Sequence, residues 1–191
     1  MSNSDHKTYG LSSASWLGQV LTYLDHGTSA VLVTIVKTKG STPRNAGARM
    51  IVTAHEIWQT IGGGALEFDV MATARAMLAM AGAGRWDRQL VRRVLGPDMG
   101  QCCGGSLSLL LEKFGPDEAA VLAGLAAAAD TGTRLAHPLV EAIPLRKAKP
   151  GEQSAETMFV APVDDGQRPL FIYGAGPVSY THLRAHETTV Y

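Results

Sequence analysis

The two cysteines of this chain stand side by side in a glycine-rich turn. Cys102 and Cys103 are the only cysteines among its 191 residues, and they lie within the segment LGPDMGQCCGG over residues 95–105. Glycines expose backbone N–H groups and let a ligand approach closely. A thiol at such a point is placed to bind a soft metal or to react. The alternative is a tight turn that buries two small side chains.

Two further glycine-centred turns precede the cysteines. Residues 40–50 read GSTPRNAGARM, and residues 60–67 read TIGGGALE. The triple glycine stands directly before a predicted helix, where free N–H groups and the helix dipole favour an anion. Arg44 and Arg49 can add charge-assisted hydrogen bonds. The structural alternatives are surface arginines, glycines that permit close packing, and Glu67 as a partner of the helix dipole.

Three predicted helices, separated by groups of short strands, must position these turns. The apolar spacing predicts helices over about 13–26 and 65–80 and from Pro116 to about 129. Short apolar runs predict strands, and residues 144–154 are typical of a linker or exposed loop. The predicted strands cover 30–36, 49–53, 57–61, 90–95, 107–112, 134–143 and 157–160. This order predicts an α/β fold with each glycine turn at the end of an apolar strand, so that the three turns converge on one cleft.

Composition narrows the class of protein. Basic and acidic residues number 17 each, and hydrophobic residues make up 46% of the chain, as in globular domains. No basic surface for nucleic acid is indicated. The sequence contains neither an apolar run of the ~20 residues that span a bilayer nor the apolar core of a signal peptide. We therefore expect a cytoplasmic protein with reduced thiols.

The three glycine motifs together resemble the XdhC/CoxI family. The order and separation of GSTPRxxGARM, TIGGGxLE and GQCCGG carry this resemblance, which extends over about residues 13–178. Members of that family are accessory proteins, not enzymes, for molybdenum hydroxylases such as xanthine dehydrogenase. The resemblance implies that the chain binds the molybdenum cofactor (molybdopterin), protects it during sulfuration and inserts it into the apo-enzyme. The implied partners are that enzyme and a cysteine desulfurase, and a homodimer is left open.

The resemblance also implies a set of site residues. Cys103 stands directly before the Gly-Gly pair, as in relatives similar to CoxI, so it is the expected molybdenum ligand, with Cys102 second. Adjacent side chains of an extended segment point to opposite faces, which agrees with unequal roles for the two thiols. The full set of expected cofactor-binding residues is Ser41, Thr42, Arg44, Arg49, Gly62, Gly63, Gly64, Gln101, Cys102, Cys103, Gly104 and Gly105.

The expected domain boundaries follow the same resemblance. Residues 13–143 form a mixed α/β cofactor-binding domain, and residues 144–168 connect it to the first strand of a Rossmann-like domain at 169–178. That strand runs into Gly174-Ala175-Gly176, but too few residues follow for a complete βαβ unit. We expect the Rossmann-like domain to be truncated and residues 179–191, which show no apolar helical stripe, to be a non-native tail.

Two other functions remain open from the sequence. Phe171–Gly176 is typical of the start of a dinucleotide-binding unit, which would indicate an NAD(P)-dependent oxidoreductase. Its glycine fingerprint is incomplete, and no acidic residue stands ~20 positions on to bind a ribose. A thiol redox protein could use Cys102 and Cys103, although adjacent cysteines form a strained disulfide ring.

Overall fold

The computed structural model describes six stretches of the chain. They comprise residue 11 and residues 15–80, 86–96, 104–130, 132–140 and 143–163. Gln101, Cys102 and Cys103 lie outside the described residues. So do the expected Rossmann-like strand at 169–178 and the expected tail at 179–191. Those predictions therefore stay predictions.

The first helix, α1, runs from Trp16 to Asp25. Ser15 caps its start, because the serine side chain accepts a hydrogen bond from the N–H of Gly18 at 3.4 Å. Its buried side chains recur at helical spacing and form one apolar face. The chain leaves the helix through Gly27, whose φ of +71° is typical of a glycine that ends a helix.

Five antiparallel strands form the main sheet. Its strands are β1 (Ala30–Lys39), β2 (Arg49–Val52), β3 (Ile57–Trp58), β4 (Arg88–Val94) and β5 (Ser106–Phe114). They lie in the order β3-β2-β1-β5-β4, with β1 paired to β5 along nearly its whole length. The centre of the sheet is therefore a long pair of strands that are far apart in sequence.

Helices cover both faces of this sheet. Helix α2, Gly64–Ala79, packs on the face to which Val31 and Val33 point. Helix α1 and α3, which spans Pro116–Ala127, pack on the opposite face, to which Leu32 points. Because both faces are covered, β1 is apolar at successive positions, as predicted for a buried strand.

A second, smaller sheet covers part of the α1 side. Its strands are β6 (Arg134–Pro138), β7 (Arg146–Lys147) and β8 (Met158–Pro162), in the order β7-β6-β8. The structure differs here from the expected linker at 144–168. Residues within that segment pair with β6, and Leu145 and Val163 are buried in the core. The charged, proline-containing sequence around Arg146 concealed the short strand β7, whereas β8 corresponds to the strand predicted over 157–160.

The predicted mixed α/β fold class is confirmed. Every strand pair in the described chain is antiparallel. The predicted helices are found within a few residues of their expected bounds. The strand predicted over 134–143 ends at Pro138, and that over 57–61 ends at Trp58.

A buried ionic cluster ties the two sheets together. The Glu112 carboxylate on β5 accepts from Nε of Arg88 at 2.8 Å and lies 2.7 Å from Nδ1 of His137 on β6. All three side chains are nearly inaccessible to water. Burial alone would raise the pKa of the Glu112 carboxyl, but His137 and Arg88 outweigh that effect and hold the pKa below its ordinary value of 4.5.

Glu112→Gln should strongly destabilise the fold. The substitution leaves the Arg88 guanidinium in the core without its counter-charge, at a cost of about 3–5 kcal/mol in the free energy of unfolding. The folded pKa of Glu112 lies below its unfolded value, so its contribution is present at neutral pH and declines as pH falls through the folded pKa. Urea unfolding at neutral pH and at acid pH measures both effects.

The matched control for this prediction is Glu152→Gln. Glu152 pairs with Arg146 at the protein surface, where solvent screens the charges, so the same chemical change should cost far less. Equal losses in the two variants, or a Glu112→Gln protein with wild-type stability, would show that the buried cluster does not hold the sheets together.

Candidate functional site

The three glycine motifs meet at one end of the main sheet. Lys39, the last residue of β1, pairs with Ser106, the first residue of β5. Ser106 also pairs with Val94 at the end of β4. The chain segments around residues 40–44, 60–64 and 104–105 therefore leave the strands at the same end of the sheet. We call these three segments the glycine junction. Antiparallel strand pairs bring these segments together.

Gly105 makes the closest approach within the glycine junction. A Cβ atom at this position would overlap the carbonyl oxygen of Ser41 and lie 2.8 Å from that of Lys39. A Cβ at Gly40 would in turn lie 3.2 Å from the Cα of Gly105. The carbonyl oxygen of Gly105 accepts from the N–H of Leu95 at 2.8 Å. Only a residue without a side chain lets these backbones pass one another here.

The triple glycine packs against the first motif. A Cβ at Gly62 would lie 2.8 Å from both Cβ and Cγ of Pro43 and 3.7 Å from Cγ of Arg44. Gly62, Gly63 and Gly64 all have positive φ angles, which other residues rarely adopt. The second motif therefore lies directly beneath the loop that carries Arg44.

A carboxylate inside the second motif holds the triple glycine in place. Oε2 of Glu67 accepts from the Thr60 hydroxyl at 2.6 Å, from the N–H of Gly63 at 2.9 Å and from the N–H of Ile61 at 3.2 Å. The N–H of Gly62 donates to the Thr60 hydroxyl at 3.1 Å. Two of the three glycine N–H groups expected to bind an anion therefore already have partners within the motif.

The other expected residues of the glycine junction differ in their exposure. Ser41 is exposed, and Arg44 is half-buried beside Gly62. The Thr42 hydroxyl donates to the carbonyl oxygen of Arg44 at 3.1 Å, so this side chain braces its own loop. A Cβ at Gly104 would meet no atom of the described residues within 4 Å, which leaves space on that side of the backbone among them.

Arg49 does not lie with the other expected site residues. It occupies β2 with 1% of its surface exposed, and its Nη2 donates to the carbonyl oxygen of Pro162 at 3.1 Å. Its guanidinium carbon lies 5.6 Å from the centre of the Trp16 ring. Alternation along β2 points this side chain toward α1, so it serves the core rather than a ligand in the junction.

The thiols themselves are not described, but their neighbour is. Gly104 follows Cys103 directly and belongs to the glycine junction. Gln101 and Cys102 precede Cys103 in the sequence and also lie outside the described residues, so their expected contacts stay predictions. Among the residues that the structure describes, no group of three or more histidine, cysteine or acidic side chains is arranged to hold a metal ion.

Sequence reasoning missed the function of Glu67 in this arrangement. It offered Glu67 only as a possible partner of the helix dipole, and the structure shows in addition that the carboxylate binds Thr60 and the backbone of the turn. The residues that flank the glycines could have indicated this role, because a threonine precedes them and a glutamate follows them in TIGGGALE. Side chains that can accept and donate on both sides of a glycine run are suited to hold it from within.

An open cleft of about 530 Å³ lies elsewhere, along the edge strand β4. It is lined by Arg88, Gln89, Leu90, Val91, Leu139 and Val140. None of these belongs to a glycine motif, and the described lining residues bring together no set of polar side chains suited to chemistry. The glycine junction is therefore the stronger candidate site.

Gly105→Ala should destabilise the protein, and Gly104→Ala should not. The added methyl group at Gly105 collides with backbone oxygens that cannot yield, at an expected cost of about 1–3 kcal/mol in the free energy of unfolding. The neighbouring substitution meets open space and should stay within ~0.5 kcal/mol of the wild type. Urea unfolding compares them, and equal stability of the two variants would contradict the close approach at Gly105.

A comparison with protein families matches the part of the chain that contains the first two glycine motifs. Residues 23–92 match the XdhC and CoxI family. This segment contains the first two motifs and ends within β4, before the cysteines. None of the helices in the described part of the chain is long and apolar enough to cross a membrane. No curated protein shows a significant match.

A solved structure has a similar fold. It is described as a xanthine dehydrogenase from Bacillus halodurans, with a TM-score of 0.51 and 22% sequence identity. The likeness covers 64% of this chain and 37% of that one, so this chain spans well under half of the length of its structural neighbour. At this identity the likeness shows the fold alone. Residues 23–92, with the two glycine motifs that they contain, are similar to the XdhC and CoxI family.

Proposed function

We propose that this chain is an accessory protein that carries the molybdenum cofactor at the glycine junction. The observation that carries the proposal is the convergence of all three motifs. Gly62 contacts the loop of Pro43 and Arg44, and Gly105 contacts the backbone of Ser41. Motifs that are far apart in the sequence thereby lie together, and the third of them, at Gly104 and Gly105, directly follows Cys103 in the chain.

The groups at the glycine junction suit the chemistry of that cargo. The cofactor carries a phosphate, a polar pterin edge and a dithiolene that holds molybdenum. The Arg44 guanidinium can form charge-assisted hydrogen bonds with a phosphate. The first-turn N–H groups of α2 from Gly64 onward have no acceptor within the helix. Open space beside Gly104 admits a bulky group, and the thiolate of Cys103 is a soft ligand for a metal–sulfur centre.

In this proposal the chain binds and protects, and it does not catalyse. Arg44 and the helix start hold the phosphate, and Cys103 shields the molybdenum centre while a cysteine desulfurase supplies sulfur. The chain then delivers the cofactor to apo-xanthine dehydrogenase or a related molybdenum hydroxylase in the cytoplasm. Similarity to the XdhC and CoxI family and to a structure described as a xanthine dehydrogenase supports the proposed molybdenum-enzyme partner.

Cofactor titration of Arg44→Ala tests the phosphate contact. Loss of one charge-assisted hydrogen bond of roughly 1.5–3 kcal/mol should weaken binding about tenfold to a hundredfold. Binding of isolated molybdenum cofactor, followed by its fluorescence, measures the dissociation constant. An unchanged affinity would exclude Arg44 from the site.

The same titration separates the two thiols. Cys103→Ser should bind the cofactor more weakly than Cys102→Ser, because serine is a poor ligand for molybdenum–sulfur chemistry. Cys102→Ser is the matched control. A greater loss in Cys102→Ser would show that Cys102, and not Cys103, supplies the functional thiol. Wild-type binding by both variants would exclude a role for either thiol in cofactor binding.

A further inference from the structure

The anion at the triple glycine turn is already part of the protein. One oxygen of Glu67 accepts from the Gly63 N–H, the Ile61 N–H and the Thr60 hydroxyl, at 2.6–3.2 Å. Hydrogen bonds to an ionised acceptor are about twice as strong as neutral ones. The carboxylate also lies in the first turn of α2, where the helix dipole favours negative charge. The carboxylate therefore stabilises the turn through its charge at the start of the helix as well as through hydrogen bonds.

We infer that Glu67 is the positioning residue of the glycine junction and that it acts through Arg44. By fixing Ile61 and Gly63 on either side, the carboxylate holds Gly62 against Pro43 and Cγ of Arg44. The turn is thus a support for the arginine loop and not the cradle for a ligand phosphate. As a statement about cofactor binding, this inference rests on the proposed function.

Two consequences follow for ligand binding. The N–H groups of Gly62 and Gly63 are engaged by Thr60 and Glu67, so a phosphate can reach only the helix start beyond them. A second anion at the same donors would also face the negative charge of Glu67. The cargo's phosphate therefore depends on Arg44, and the placement of Arg44 depends on Glu67.

The first test needs no cofactor. Trypsin cleaves after Arg44, and Glu67→Ala should loosen the loop and raise the rate of native-state cleavage there about tenfold. Thr60→Val, which removes one partner of the carboxylate, should raise it less. Glu67→Gln keeps an oxygen acceptor and should restore much of the protection. Acetate added to Glu67→Ala should slow the cleavage, because a free carboxylate can occupy the vacated donors.

The controls make this test specific. Glu56→Ala removes an exposed glutamate from the preceding hairpin and should leave the cleavage rate at Arg44 unchanged. A wild-type rate in Glu67→Ala would overturn the inference. An equal rise at Arg75, which lies in α2, would also overturn it, because it would report general loosening of the helix instead of a local support.

The second test measures coupling between the two residues. Glu67→Ala should weaken binding of isolated molybdenum cofactor about tenfold in the wild-type background and change it little in an Arg44→Ala background. Independent, multiplicative losses would overturn the positioning role. Failure of the wild-type chain to bind the cofactor would overturn the proposed function, while the trypsin measurement would still decide the role of Glu67.

Discussion

The site depends on one backbone contact, the passage of Gly105 beneath the carbonyl oxygens of Lys39 and Ser41. This contact lies where β1 ends and β5 begins, at the centre of the main sheet. A side chain at Gly105 would force the two segments apart and move the loop of Arg44 away from Gly104. Close packing of a protein interior transmits such a displacement instead of absorbing it. The register of the central strand pair therefore fixes the geometry of the candidate site.

The rest of the fold makes this register rigid. The two faces of the sheet bury separate apolar clusters, one beneath α2 and the other beneath α1 and α3. The ionic cluster of Arg88, Glu112 and His137 adds a polar tie from the main sheet to β6. Burying these polar groups costs solvation free energy, which their mutual contacts offset only when all three are present. The cluster therefore favours one arrangement of the two sheets. The glycine junction thus rests on a scaffold that is held from both sides.

Much of this arrangement was predictable from local sequence patterns. The apolar run of β1 and the helical spacing in α1 report burial directly, and both elements were predicted near their observed bounds. The glycine motifs marked the turns. The sequence analysis placed each of them at the end of an apolar strand. It did not specify the pairing of the strands, because local patterns record that a strand is buried and not which strand it pairs with or in which direction.

The errors share a physical cause in long-range partners. Arg49 looks like a ligand contact in GSTPRNAGARM, but Trp16 and the Pro162 carbonyl, both distant in sequence, draw it into the core. The charged segment around Arg146 resembles a linker until β6 provides a strand to pair with. Charge alone predicts exposure, and only the tertiary partner reverses that prediction.

The central claim is that the glycine junction carries a molybdenum cofactor, and the most direct measurement is the content of the purified protein. The chain is produced in a host that makes the cofactor, and molybdenum and pterin are quantified in the wild type, in Gly105→Ala and in Gly124→Ala, a control in α3 far from the glycine junction. We expect molybdenum and pterin together in the wild type and in Gly124→Ala, with loss of both in Gly105→Ala. A wild-type protein without molybdenum or pterin, or equal content in all three, would contradict this claim.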